Sequence, residues 1–263
     1  MTLLDTRART GRMSRVNPVA KLGAAAFITI PLVLTLDVVS ATVALVLELL
    51  LLPLAGLGGR EFWARTWIVW ALAPLTGLTI ALYGRTSGEV YAQWLFVTVS
   101  EGSLVLALAT TIRVLAIALP SVVLFATVDP TDLADGLGQV LKLPARFVLG
   151  ALAGLRMVGL FLDDWRALEL ARRARGVADR GRVRRFLGMA FALLVLSIRR
   201  GSKLATAMEA RGFGAPGART WARESPFGAT EWTLMGVGLA IALLATFAAL
   251  AAGTWNFILG PGV

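Results

Sequence analysis

The 263-residue sequence contains no cysteine and no histidine. Without thiols there is no disulfide, thiolate zinc site or cysteine nucleophile, and without imidazole no side chain titrates near neutrality in its ordinary range. Any metal site would rest on carboxylates alone. Charge is also scarce: 16% of residues are Asp, Glu, Lys or Arg, against 57% hydrophobic, and the mean hydropathy is +0.75. A soluble domain of this length needs more polar surface than that. Lipid is the solvent that suits the composition.

Apolar runs place the spans. A crossing helix needs roughly 20 apolar residues for about 30 Å of hydrocarbon. Runs occur at Leu22–Leu36, Val38–Leu57, Trp67–Tyr83, Ser103–Thr127 and Glu231–Ala252. The first and third are short and are expected to extend into flanking residues. The first follows a basic head and resembles a signal peptide, but the second run follows at once, so Asp37 reads as a tight turn between two spans. Trp232 and Trp255 flank the last span, where amphipathic rings favour the headgroup zone.

Residues 128–228 are of another kind, helical in pattern and rich in arginine. Asp129-Pro130-Thr131-Asp132 reads as a helix start, and Leu133–Leu143 as a short amphipathic helix ending before Pro144. Ala145–Arg175 and Val183–Arg211 read as two longer helices, each apolar at first and charged toward its end. The expected organisation is an all-α integral membrane protein with about five transmembrane helices and a module of about three amphipathic helices inserted before the last span. Its parts are residues 1–127, 128–228 and 229–263.

Basic residues set the orientation. The head, the loop between spans two and three (Arg60, Arg65) and the 128–228 segment hold 24 of the 26 Lys and Arg. Five spans with a cytoplasmic N-terminus put all three on the cytoplasmic face of a plasma membrane. The net charge of +10 is then a membrane-face feature, suited to anionic lipid or an acidic protein surface, and nucleic acid is an unnecessary explanation.

Two tripeptides repeat. Ala174-Arg175-Gly176 and Ala210-Arg211-Gly212 close the two long module helices, 36 residues apart. Each can be read as a helix end, with glycine in the left-handed position and arginine at the negative pole of the dipole. As a pair they read as two prongs presenting guanidinium groups, which suit planar contacts with carboxylates or carbonyls in a groove. Gly212–Gly217 matches GxGxxG by spacing, but a helix precedes it where the dinucleotide fingerprint needs a strand, and no GxxxxGK[ST] occurs. Gly150–Gly154 forms a GxxxG, expected to serve a helix crossing within the chain or, failing that, against a partner. Glu48 and Arg113, each about ten residues from the outer end of its span, are a candidate intramembrane ion pair. No catalytic residue is assigned: the spans offer only Glu48, and Asp163 and Asp164 point about 100° apart on a helix.

Ser197–Gly214, SIRRGSKLATAMEARGFG, resembles the signature of the T component of energy-coupling factor transporters, the EcfT/CbiQ-type family. LELARRARG (Leu168–Gly176) resembles that family's first Ala-Arg-Gly motif, Asn17–Leu22 its opening segment and Ala126–Pro144 its first coupling helix. The order also matches, over most of the chain. The resemblance implies a scaffold without catalysis, metal or cofactor of its own. It would join a substrate-binding (S) membrane subunit to two ABC-type ATPases, which bind ATP and Mg, for uptake of a vitamin or transition-metal ion. It also implies that Arg175 and Arg211 contact the ATPases, with Ala174, Gly176, Ala210 and Gly212 as close-fitting neighbours. Arg172 and Arg173 crowd the first motif and could substitute for Arg175. The competing readings are a conventional ABC permease subunit that forms the substrate path itself, and an intramembrane enzyme.

Overall fold

The computed structural model describes residues 12–35, 37–51, 53, 56, 58–84, 87–94, 97–176, 181–214 and 220–255. Leu36, Leu57 and residues 215–217, which the sequence reading names, lie outside them. Among the described residues there are eight α-helices and one two-stranded sheet. The chain divides into two compact units. One comprises Ala134–Ser225 and the other Thr6–Leu133 with Pro226–Val263.

The larger unit is a helical bundle. Its helices are α1 (Pro18–Leu34), α2 (Val38–Leu51), α3 (Gly59–Tyr83), α4 (Glu101–Ala126) and, after the inserted segment, the helix Ala229–Ala251, labelled α8 in chain order. Local chemistry sets their starts. Asn17 caps α1, its Oδ1 accepting from the Val19 amide at 3.0 Å, with Pro18 in the first turn where a missing N–H costs nothing. Asp37 starts α2 by accepting the Ser40 amide at 2.7 Å, which gives the expected turn residue a concrete role. Ser100 and Ser103 cap α4 reciprocally.

Helix α3 packs on α4, α1 on α8, and α2 against both α4 and α8. Ile28, Leu32, Ala44, Ala116, Ile241 and Ala245 form one core cluster, drawn from four helices. Small residues let the backbones approach: a Cβ on Gly238 of α8 would lie 2.8 Å from the Ala24 carbonyl oxygen of α1. The outside is apolar, with Trp67, Leu72, Leu75 and Phe247 all more than half exposed. Polar backbone groups are satisfied within helices, and that apolar surface suits lipid.

Four helices, α3, α4, α8 and the module helix Ala145–Ala174, are long and apolar enough to cross a membrane; α1 and α2 are apolar but shorter. The third span, short as a run from Trp67, gains its length by starting at Gly59. Between α3 and α4 stands a hairpin that the sequence reading missed: β1 (Val90–Trp94) pairs antiparallel with β2 (Val97–Ser100). Its β-branched and aromatic run, VYAQW…VTV, was the available signal.

The smaller unit holds most of α5 (Pro130–Gln139), together with α6 (Ala145–Ala174) and α7 (Arg182–Ala210). Asp129 opens α5 as expected, accepting the Thr131 amide at 2.7 Å. The Gln139 amide group donates to the Arg223 carbonyl at 2.8 Å and accepts from the Ser225 amide at 3.0 Å, tying α5 to the returning chain.

Candidate coupling surface

The two Ala-Arg-Gly tripeptides have the same backbone. Ala174 and Ala210 are the last residues of α6 and α7. Arg175 (φ −89°, ψ 4°) and Arg211 (φ −91°, ψ 11°) follow as cap residues, and Gly176 and Gly212 turn left-handed at φ +66° and +73°. The Gly176 amide donates to the Arg173 carbonyl at 3.0 Å. At the second end the Gly212 amide donates to Glu209 at 2.9 Å and the Phe213 amide to Met208 at 2.9 Å. The last carbonyls of each helix thus gain donors. Both arginines are exposed, and neither forms an ion pair among the described residues. Among the described residues nothing lies within 4 Å of where a Cβ would stand on either glycine. Within this chain the glycines are therefore set by the left-handed turn, with open space around them.

The neighbouring arginines are engaged elsewhere. Arg173 pairs with Glu169 at 2.9 Å, and Glu169 also takes Arg185 of α7. The Arg172 guanidinium lies against α7, 2.9 Å from the Cβ position of Gly188. Arg175 is left as the arginine at the tip.

Helices α6 and α7 are held together by charge. Arg200 Nη2 donates to Asp164 Oδ1 at 2.9 Å and Nη1 lies 2.6 Å from Asp164 Oδ2. Asp163 pairs with Arg166 at 3.4 Å, so both adjacent acids stand in ion pairs. The Asp164–Arg200 and Glu169–Arg185 contacts run in opposite directions along the two helices, which puts the Arg175 and Arg211 tips at opposite ends of the pair.

Two expectations fail. Glu48 and Arg113 are buried but do not pair with each other: among the described residues both Glu48 carboxylate oxygens, and Arg113 Nε and Nη2, have no hydrogen-bond partner. The reason is register. Glu48 lines a cavity of about 90 Å³ with Pro120, Val123 and Leu124 of α4, about two turns beyond Arg113. Equal distance from the helix ends did not mean equal depth, because α4 begins further out than α2; Val38 and Val39 lie level with Glu101–Ala109. Secondly, Gly150 and Gly154 make no close helix crossing within their own unit: among its described residues nothing lies within 4 Å of either Cβ position.

One cluster the sequence reading did not assemble is a set of buried polar residues at the starts of α1 and α8 and the end of α4. Lys21, 2% exposed, donates from Nζ to the Thr127 hydroxyl at 2.9 Å and to the Thr127 carbonyl at 3.2 Å. Asn17 Nδ2 donates to the Pro226 carbonyl at 3.0 Å, and the Asn17 amide to Glu231 at 3.2 Å. The Asn-Pro-x-x-Lys run was the signal.

An apolar-surfaced helical bundle interrupted by a unit with two matching arginine-tipped helix ends defines a multi-pass membrane protein of the transporter-component class. The chain belongs to the CbiQ family, described as cobalt transport protein, whose model matches residues 12–221. It is similar to the energy-coupling factor transporter transmembrane protein EcfT of Limosilactobacillus fermentum, at 34% identity over 59% of this chain and 65% of that protein. It is also similar to the EcfT of Bacillus selenitireducens, at 28% identity over 87% and 89% of the two chains. The chain thus spans just under two thirds of the first relative's length and nearly all of the second's.

Proposed function

We propose that the chain is the non-catalytic coupling subunit of an energy-coupling factor importer, passing ATP-driven motion of two ABC-type ATPases to a substrate-binding membrane subunit that carries a vitamin or transition-metal ion. The observation that carries this reading is the matched pair of helix ends. Two exposed arginines with the same cap geometry, one at each end of an ion-paired helix pair, suit two similar grooves on two similar partners. ATP and Mg belong to those partners. The open face at Gly150 and Gly154 suits close approach of a membrane helix of the substrate-binding subunit. The positive-inside pattern puts the N-terminus and the arginine tips on the cytoplasmic side of the plasma membrane.

The test is co-purification of the tagged chain with the ATPases encoded beside it, comparing wild type with Arg175→Glu, Arg211→Glu and the double variant. Loss of the ATPases from variants that remain folded supports the reading. Full retention by the double variant would reduce both tripeptides to helix ends.

A further inference from the structure

The inserted unit, Ala134–Ser225, is joined to α4 through residues 128–133 and to α8 through Pro226, and one turn of chain grips the bundle side of both connections. Lys21 holds Thr127 through its hydroxyl and carbonyl. Four residues earlier, Asn17 holds the Pro226 carbonyl with its side chain and Glu231 with its amide. Glu231 in turn accepts the Gly228 amide at 2.9 Å, closing the returning strand onto the start of α8. From the other side Arg65 of α3 donates to the Ala126 carbonyl at 2.8 Å. The last carbonyls of α4 therefore receive two cations from two helices, at the pole of the helix that favours positive charge. Asn17, Lys21, Thr127 and Glu231 are each at least nine-tenths buried.

Burying a lysine and a carboxylate in a lipid-embedded bundle is costly unless their bonds are made. Apolar packing would hold two helix ends without that cost. What directed bonds add is a fixed position for backbone atoms, here those of Thr127 and Pro226. A displacement of the inserted unit must then bend the chain between Thr127 and Ala134 and beside Pro226, or carry α4 and α8 with it.

We propose that the Asn17–Lys21 turn is the fulcrum of the inserted unit, with Lys21 as its principal positioning residue. By fixing both roots of the unit at one point, it makes the unit turn as a lever when its tips are moved. This rests on the coupling reading above, since a lever needs something that moves it. Hinges of this kind are a few element-terminal residues that absorb a dihedral change.

The absence of cysteine makes the test direct. Cysteines introduced at Thr76 on α3 and Ser202 on α7, both exposed, carry spin labels, and the distance between them is measured in the complex with the ATPases, without nucleotide and with a non-hydrolysable ATP analogue. The wild-type background is expected to show a nucleotide-dependent shift in distance. In Lys21→Met, which keeps the apolar stem and removes the donor, the ATPases should still co-purify and hydrolyse ATP while the shift falls to less than half and the distribution broadens; Lys21→Arg should restore part of it. Thr127→Val, which removes one acceptor and leaves Lys21 in place, decides the matter where Lys21→Met yields too little folded chain. An undiminished shift in these variants overturns the fulcrum while leaving the coupling reading intact. Failure of the wild-type chain to bind ATPases overturns the coupling reading and the fulcrum with it.

Discussion

Asp164 and Arg200 are separated by 36 residues and touch, and Arg175 and Arg211 are separated by the same 36. Each arginine tip lies eleven residues beyond its member of the ion pair. At 1.5 Å per residue that is an arm of about 16 Å on each side. The repeat seen as two tripeptides is thus a repeat of two arms about a shared contact.

Removing either partner of that contact should loosen the helix pair. Asp164→Ala, Arg200→Ala and the double variant form a cycle, read by denaturant unfolding in detergent micelles. The pair is partly exposed, so the coupling energy should be roughly 1 kcal/mol. A double variant that equals the sum of the singles would show the contact contributes nothing.

Gly176→Ala and Gly212→Ala should each lower stability by about 1 kcal/mol, since the added Cβ meets strain at positive φ with nothing to clash against. Asparagine at either position should cost less. Thermal midpoints of the purified chain check this, and equal behaviour of alanine and glycine would contradict the turn.

Two glycine sites should respond in opposite senses. Gly238→Ala puts a Cβ 2.8 Å from the Ala24 carbonyl oxygen and should separate α1 from α8, at a cost of about 1–3 kcal/mol. Gly154→Ala, in open space, should be neutral or stabilising by up to about 1 kcal/mol through helix propensity. Thermal unfolding of the two variants side by side gives the comparison. A destabilised Gly154→Ala in the isolated chain would place a neighbour at that face.

Glu48→Met should stabilise the bundle by about 1–3 kcal/mol, because it removes a buried carboxyl without partners. Arg113→Gln should combine with it additively, within about 0.5 kcal/mol. Strong non-additivity, measured by the same unfolding assay, would restore the ion pair that the structure denies.

The contrast between these sites shows what the sequence carries. Pro130, Pro144, Gly176 and Gly212 mark helix ends correctly because a cap is decided by a few consecutive residues. The lipid-spanning runs are legible because hydropathy needs no partner. The Glu48–Arg113 pairing failed because the relative depth of two helices is fixed by packing, here by an α4 that begins further out than α2. Lys21 was read as a basic residue of the head and as part of the Asn17–Leu22 opening segment, with no contact assigned to it. That its amine sits inside the bundle depends on Thr127, more than a hundred residues away.

The bond between Asn17 and Glu231 crosses 214 residues of chain, and α1 packs against α8. Helix α1 ends at Leu34 and α8 begins at Ala229, so α1 leaves the ribosome nearly two hundred residues ahead of its neighbour. At roughly 5–20 residues per second that is an interval of about 10–40 s. Throughout it the nascent chain is a half-built bundle with an empty seat beside α1, open to insertases and proteases. Helix α8 is the keystone of biosynthesis, and a chain cut short before Ala229 leaves the seat beside α1 unfilled.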